Sequence, residues 1–180
     1  MTIQELKVAS DRIGVIIGKG GSVRKAIEEK AGVTITIDSH EGMVTVEGED
    51  AIGVLRATEM IRAIGRGFSP ERASKIFEDD DIVFDLLDLS NVADTPEKMN
   101  RIRGRIIGRD GKARGQIENM TQTYISIYGK TVGIIGMPEP VHTARKAVEM
   151  LVEGADHASV FAFLDKRKKE AKQDLLSYYY

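Results

Sequence analysis

The sequence predicts an α+β protein built from two tandem copies of one β-α-α-β-β-α unit. Each copy should be a three-stranded antiparallel sheet covered by three helices, with an extra helix after it. Three observations predict this. The hexapeptide "IIGKGG" at residues 16–21 returns as "IIGRDG" at 106–111. Each copy is followed by an alternating apolar segment, "VTITI" or "TYISI", as a half-buried strand requires. Each copy then closes on apolar residues at helical spacing, Val54-Ala57-Ile61-Ile64 or Val141-Ala144-Val148-Leu151.

The repeat extends well beyond the hexapeptide. A shift of 90 pairs Gly14 with Gly104, Arg24 with Arg114, Ile27 with Ile117 and Ile35 with Ile125. The shift falls to 88 at Val44/Val132 and Gly48/Gly136, then to 87 through the closing helix. Length changes fall between elements, where loops absorb them.

Taken in order, "TIQELKVAS" and "DIVFDLLDL" read as the opening strands. A helix follows in each copy and stops at the glycine loop. The next helix covers Ser22–Lys30 or Lys112–Met120. Turns at Gly42 and Gly129 separate "VTITI" from "MVTVE" and "TYISI" from "TVGII". Ser69-Pro70-Glu71 and Thr95-Pro96-Glu97 are helix starts: a capping hydroxyl, proline at the first helical position, then an acid. The expected domains are 1–67, a connector helix at 68–80, a second domain at 81–154, and a C-terminal helix with its tail at 155–180. In that last helix Val160, Phe161, Phe163 and Leu164 are expected to pack on the second domain. The terminal "SYYY" reads as a frayed end with base stacking as the alternative.

The loop residues point to a phosphate grip. Ile16-Ile17 and Ile106-Ile107 lock the preceding helix to the sheet, and Gly18 and Gly108 take a left-handed turn past its end. Gly21 and Gly111 open the next helix, whose unpaired N–H groups attract an anion. Lys19 and Arg109 add a cation at that place. One Gly-x-x-Gly alone would be an ordinary turn; two, each behind Ile-Ile and ahead of an arginine (Arg24, Arg114), are a stronger signal.

On these residues each copy resembles a KH domain, whose signature Ile-Gly-x-x-Gly with a following Ile is met by Ile17–Gly21 with Ile27 and by Ile107–Gly111 with Ile117. Two strands after the motif indicate type I. The resemblance implies that about four nucleotides of single-stranded RNA are clamped per copy. The expected groove is lined by Val15, Ile16 and Ile35 in copy one and by Arg105, Ile106 and Ile125 in copy two. Over the whole chain, "AIGRGFSPERASKIFEDDD" and "RGRIIGRDGKARGQIENMT" are similar to the archaeal form of the Partner of Nob family of ribosome-assembly factors. That resemblance implies binding at the 3′ end of small-subunit rRNA or its precursor. It also implies contact with the Nob endonuclease and with the alpha subunit of translation initiation factor two.

Composition narrows the classes. The 180 residues are 42% hydrophobic and 30% charged, with no cysteine and a net charge of −2. A cytoplasmic globular protein is expected, without disulfide or thiolate metal site and without a membrane segment. The charge is uneven: −1 over residues 1–68, −6 over 69–95 and +5 over 96–180. Local charge governs binding because salt screens beyond about 10 Å. Seven cations crowd residues 98–114: Lys98, Arg101, Arg103, Arg105, Arg109, Lys112 and Arg114. Asp110, standing where copy one has Gly20, reads as a cap for the helix opening at Gly111. Its cost to a nearby phosphate is on the order of 1 kcal/mol at a wet surface.

Other charged groups suggest less. His40, His142 and His157 share no metal-ligand spacing. "EDDD" at 78–81, with Asp85 and Asp88, reads as an edge-protecting acidic segment, with a divalent ion or a basic partner surface as alternatives. "KRKKEAK" at 166–172 is either a solvated helix face or a docking surface for RNA or protein. No catalytic set, metal site or cofactor motif is found, so a non-enzymatic RNA binder is expected. The rivals are an accessory subunit of an RNA-degrading complex and a protein scaffold whose KH folds no longer bind RNA.

Overall fold

In a computed structural model, which describes residues 1–180, the chain divides into two compact units, Met1–Phe84 and Asp85–Tyr180. Residue types set each element of the first unit. Strand β1 (Thr2–Lys7) leads to helix α1 (Ser10–Ile17), and a 3-10 turn at Lys19–Gly21 leads to α2 (Ser22–Ala31). Strands β2 (Thr34–Asp38) and β3 (Met43–Gly48) follow, then α3 (Ala51–Gly65). Sheet order is β1-β3-β2, antiparallel throughout, with Leu6 opposite Val44 and Ile35 opposite Val46. Residues 43–48 of β3 alternate between half-buried and buried, so Val44 and Val46 face the core. They meet the buried stripe Val54, Ala57, Ile61 and Ile64 on α3.

Asp50 caps α3, its carboxylate accepting from the N–H groups of Ile52 and Gly53. Glycine is required at position 53 because a Cβ there would overlap the Ala31 carbonyl oxygen. The other end of α3 is sealed by Arg12, which donates to the carbonyls of Ile64 (2.8 Å) and Phe68 (2.9 Å). Past α3, Ser69 accepts from the Arg72 N–H at the start of the short helix α4 (Pro70–Ala73), which runs on into a 3-10 turn at Ser74–Phe77. Beyond it lies the acidic stretch, whose backbone is organised by one cation. The Arg56 guanidinium donates to the carbonyls of Ile76 (3.0 Å), Asp79 (3.4 Å), Asp80 and Ile82 (3.2 Å).

The second unit repeats the order: β4 (Val83–Asp88), α5 (Pro96–Ile107), a 3-10 turn at Arg109–Gly111, α6 (Lys112–Thr121), β5 (Tyr124–Tyr128), β6 (Thr131–Gly136) and α7 (Pro138–Val152). Its sheet order is β4-β6-β5, with Ile125 opposite Ile134 and Ile127 opposite Val132. Ile106, Ile117, Ile125, Val132, Ile134, Val148 and Leu151 are the heart of its core. The two units thus have the type I order and sheet topology. Asp85, from the acidic segment, accepts at both carboxylate oxygens from the single Nη1 of Arg145 (3.0 and 2.9 Å). Arg145 also donates to Glu149, and its pKa is raised, chiefly by the bond to Asp85.

The C-terminal segment departs from expectation. Instead of a short helix and frayed tail, α8 runs unbroken from His157 to Tyr179. Asp156 caps it, accepting from the Ser159 N–H at 2.7 Å. Val160 and Leu164 are buried, with Phe161 and Phe163 packed beside them on the core of the second unit as expected. Every residue from Asp165 onward is exposed, including the whole of "KRKKEAK". The helix continues because Asp165 and Lys169 pair at helical spacing (2.9 Å) and no breaker residue intervenes. No helix is long and apolar enough to cross a membrane.

Candidate nucleic-acid interface

The two glycine loops have nearly superimposable backbones. Gly18 has φ 74° and ψ 171°, and Gly108 has φ 74° and ψ 178°. The expected left-handed turn therefore begins two residues later; positive φ with ψ near 180° is a region open to glycine almost alone. Space demands glycine as well. A Cβ on Gly18 would lie 2.5 Å from Val23 Cγ2 and 2.7 Å from its nitrogen, and one on Gly108 would lie 2.5 Å from Ala113 Cβ. The bracket glycine lets the chain turn sharply enough for the next helix to start against it.

The left-handed positions proper are Gly20 (φ 61°, ψ 23°) and Gly21 (φ 77°, ψ 15°), matched by Asp110 (φ 55°, ψ 28°) and Gly111 (φ 75°, ψ 11°). Asp110 is not the expected cap. Gly111 occupies the capping position of α6, and no side chain bonds to that helix end. Aspartate stands at 110 because it is among the few residues that tolerate this conformation. The uncapped first turns of α2 and α6 leave their N–H groups without side-chain partners, as an anion site needs.

Around the loops, Lys19, Gly20, Arg109, Asp110 and Lys112 are exposed, while Val15, Ile17, Ile107, Gly18, Gly108, Gly21 and Gly111 are partly covered. Arg24 and Arg114 sit at matched places, each with a buried Nε that has no hydrogen-bond partner; Arg103 has the same feature. Arg114 Nε lies 3.6 Å from Glu118, an ion pair too long for a hydrogen bond. Four residues expected to line the groove do not. Ile16 (0% exposed), Ile35 (3%), Ile106 (0%) and Ile125 (1%) are core residues that hold the loop and edge strand in place. Arg105 is committed elsewhere: its guanidinium donates to the Ala155 carbonyl, and its own carbonyl meets His157 Nε2 at 2.8 Å. It fastens the start of α8 rather than a ligand.

One repeated device escaped the sequence reading. Glu28 on α2 accepts the N–H of Ile35 (2.9 Å), and Glu118 on α6 accepts the N–H of Ile125 (3.1 Å). Each carboxylate pins the outer strand β2 or β5 to the helix that leaves the glycine loop, fixing the gap between them. The signal was available, since both glutamates obey the shift of 90 and stand seven residues before the isoleucine they hold. In copy two the gap opens as a groove of about 280 Å³ lined by Gly115, Glu118, Asn119, Gln122, Thr123 and Tyr124.

Known proteins agree with this geometry. Residues 83–169 match the family described as eukaryotic type KH-domain (KH-domain type I), and residues 3–63 match the KH domain family. The chain is 43% identical over 176 residues to the KH domain-containing protein MJ0443 of Methanocaldococcus jannaschii, covering 96% of this chain and 77% of that protein. It is 30% identical over 141 residues to the pre-rRNA-processing protein PNO1 of Chaetomium thermophilum, covering 77% of this chain but only 51% of that longer protein. Among solved structures, Dim2p in the a/eIF2alpha-aDim2p-rRNA complex from Pyrococcus horikoshii OT3 is 41% identical with a TM-score of 0.88, covering 94% of this chain and 95% of that one. With the same unit twice, the same loop geometry in each and this relationship along nearly its whole length, the chain belongs to the archaeal Dim2/PNO1-like family of two-KH-domain proteins.

Proposed function

We propose that the chain is a single-stranded RNA-binding protein of small-subunit maturation, gripping the 3′ end of small-subunit rRNA or its precursor with both glycine loops. The observation that carries this reading is the pair of matched turns, each with exposed backbone, an uncapped helix start and an exposed cation, Lys19 or Arg109. The backbone N–H groups and the cation take phosphate oxygens, while the neighbouring groove takes bases. Two copies working on one strand would contact about eight nucleotides. The work is positional: the protein shields or presents the RNA end and makes no bond.

The alpha subunit of translation initiation factor two fits as a protein partner, because the related Dim2p is held in a complex with that subunit and rRNA. The Nob endonuclease is the second partner this reading implies, by family resemblance. The protein is proposed to act in the cytoplasm.

The test is binding of an rRNA 3′-end oligonucleotide against a scrambled control. Lys19→Asp with Gly20→Asp should weaken binding at least fivefold, and Arg109→Asp should do so independently. Asp110 already shows that aspartate fits the left-handed position, so the Gly20→Asp change tests charge rather than folding. Four to six phosphate contacts on a single strand give a log–log salt slope of about −3 to −4. Unchanged affinity in both variants, or a slope near zero, defeats the proposal.

A further inference from the structure

The two copies differ most between the opening strand and the helix before the loop. In copy one only Val8 and Ala9 separate β1 from α1; in copy two residues 89–95 separate β4 from α5, and α5 has 12 residues against 8 in α1. The added segment is firmly tied down. Leu89 and Ala93 are buried, and the Leu89 N–H donates to the Lys130 carbonyl at 2.8 Å, joining the segment to the β5–β6 turn. Thr95 caps α5, and Asp94 pairs with Lys98 at 2.8 Å.

This arrangement encloses a pocket of about 300 Å³ walled by Ala93, Pro96, Met99, Asn100, Arg103 and Lys130. That volume is at the lower end for small-ligand sites and suits one nucleoside. The walls from Ala93, Pro96 and Met99 are apolar, and Asn100 offers a donor and an acceptor at once. The rim carries two cations. Arg103 is half-buried, its Nε enclosed without a partner, so a phosphate would be met by the outer nitrogens of its guanidinium. The one carboxylate at the rim, Asp94, is already neutralised by Lys98. Copy one lacks the parts: its residue at the place of Arg103 is Ile13, which is 5% exposed. From Asn100 to Gly108 the helix rises roughly 12 Å. A strand gripped at the second loop and running along α5 reaches the pocket within the span a KH unit covers.

We propose that this pocket is a nucleotide subsite found in copy two alone, taking one base of the bound RNA against Pro96 and Met99 and the adjoining phosphate on Arg103 and Lys130. The inference rests on the reading of the second loop as an RNA grip, and its test separates the two. A fluorescein-labelled 12-nucleotide RNA of small-subunit rRNA 3′-end sequence is titrated with wild type, Arg103→Ala, Asn100→Trp and Arg109→Asp.

Arg103→Ala should weaken binding about tenfold, as loss of a charge-assisted bond to phosphate does. Asn100→Trp, which fills the pocket from an exposed helix position, should weaken it at least fivefold with no change in urea midpoint. Ultraviolet crosslinking to the same RNA should label the peptide containing Met99, a readout that a purely structural arginine would leave blank. If Arg109→Asp weakens binding while Asn100→Trp and Arg103→Ala stay within twofold of wild type, the pocket is no subsite and the loop reading survives. If Arg109→Asp has no effect while the pocket variants weaken binding, the loop reading falls and the subsite stands. Saturable binding of nucleoside monophosphates at millimolar concentration, removed by Asn100→Trp with RNA affinity intact, would make this a free-nucleotide site and overturn the proposal.

Discussion

Copy one and copy two hold their glycine loops in one shape yet surround them with different chemistry. Gly18 and Gly108 have the same φ, and the left-handed residues that follow agree within 6° in φ. Around that shape, copy two has aspartate for glycine, a helix four residues longer and the cations Arg101 and Arg103, where copy one has Asp11 and Ile13. The lesson is that a duplicated unit keeps the backbone trajectory under steric control while charge and the depth of the groove drift. Bracket glycines cannot drift, because geometry fails; flanking side chains can, because only affinity changes.

The bracket glycines carry the largest expected effect. Gly18→Ala and Gly108→Ala should each cost about 2–4 kcal/mol, from a strained positive φ together with a Cβ clash against Val23 or Ala113. Urea unfolding should show equal losses in the two copies. A neutral result in either would mean that its loop does not need the shared shape.

A smaller effect sharpens the charge difference. Exchanging the odd residue, Gly20→Asp or Asp110→Gly, should move RNA affinity severalfold in opposite directions, down for the first and up for the second. That follows from on the order of 1 kcal/mol between a carboxylate and a nearby phosphate at a wet surface. Stability should move by less than about 1 kcal/mol, because both residues occupy the same left-handed conformation. Equal affinities by fluorescence anisotropy would place the phosphate away from this position.

The smallest effect separates the extra helices. Ser69 caps α4 with a group that does not titrate, whereas Asp156 caps α8 with a carboxylate. Bonding to Ser159 holds the Asp156 pKa below the ordinary carboxylate value. A depressed folded pKa means that the cap contributes fully above the unfolded value and is lost as pH falls through the folded one. Protection of the first-turn amides of α8, measured against the intrinsic exchange rate at each pH, should therefore fall below about pH 4, with no counterpart at α4. Asp156→Asn, which caps without titrating, should abolish the difference.

Much of this was legible in the sequence because the repeat reported on itself. Element order followed from the matching of Val54 and Val141 stripes, and the loop followed from glycines at fixed spacing. Burial was harder. Ile16 and Ile106 flank the loop in sequence, so they read as groove lining, yet a helix turns its side chains by 100° per residue and these two point to the core. Ile35 and Ile125 lie on the strand face that the helices cover, which the alternation alone does not distinguish from the open one. Asp110 misled because aspartate before a helix is more often a cap than a left-handed residue, and only φ separates the two. Glu28 and Glu118 look like solvated helix acids until the edge strand they hold is in place.

The undivided course of α8 has an outcome for handling the protein. Its first two turns are welded to the core by Val160 and Leu164, while the remainder, rich in lysine and arginine, stands in water. A helix of that length without a tertiary face opens transiently and often. Trypsin should therefore cut within Lys166–Lys172 and spare the buried turns before Asp165, releasing the tyrosine-bearing end while both sheets stay untouched.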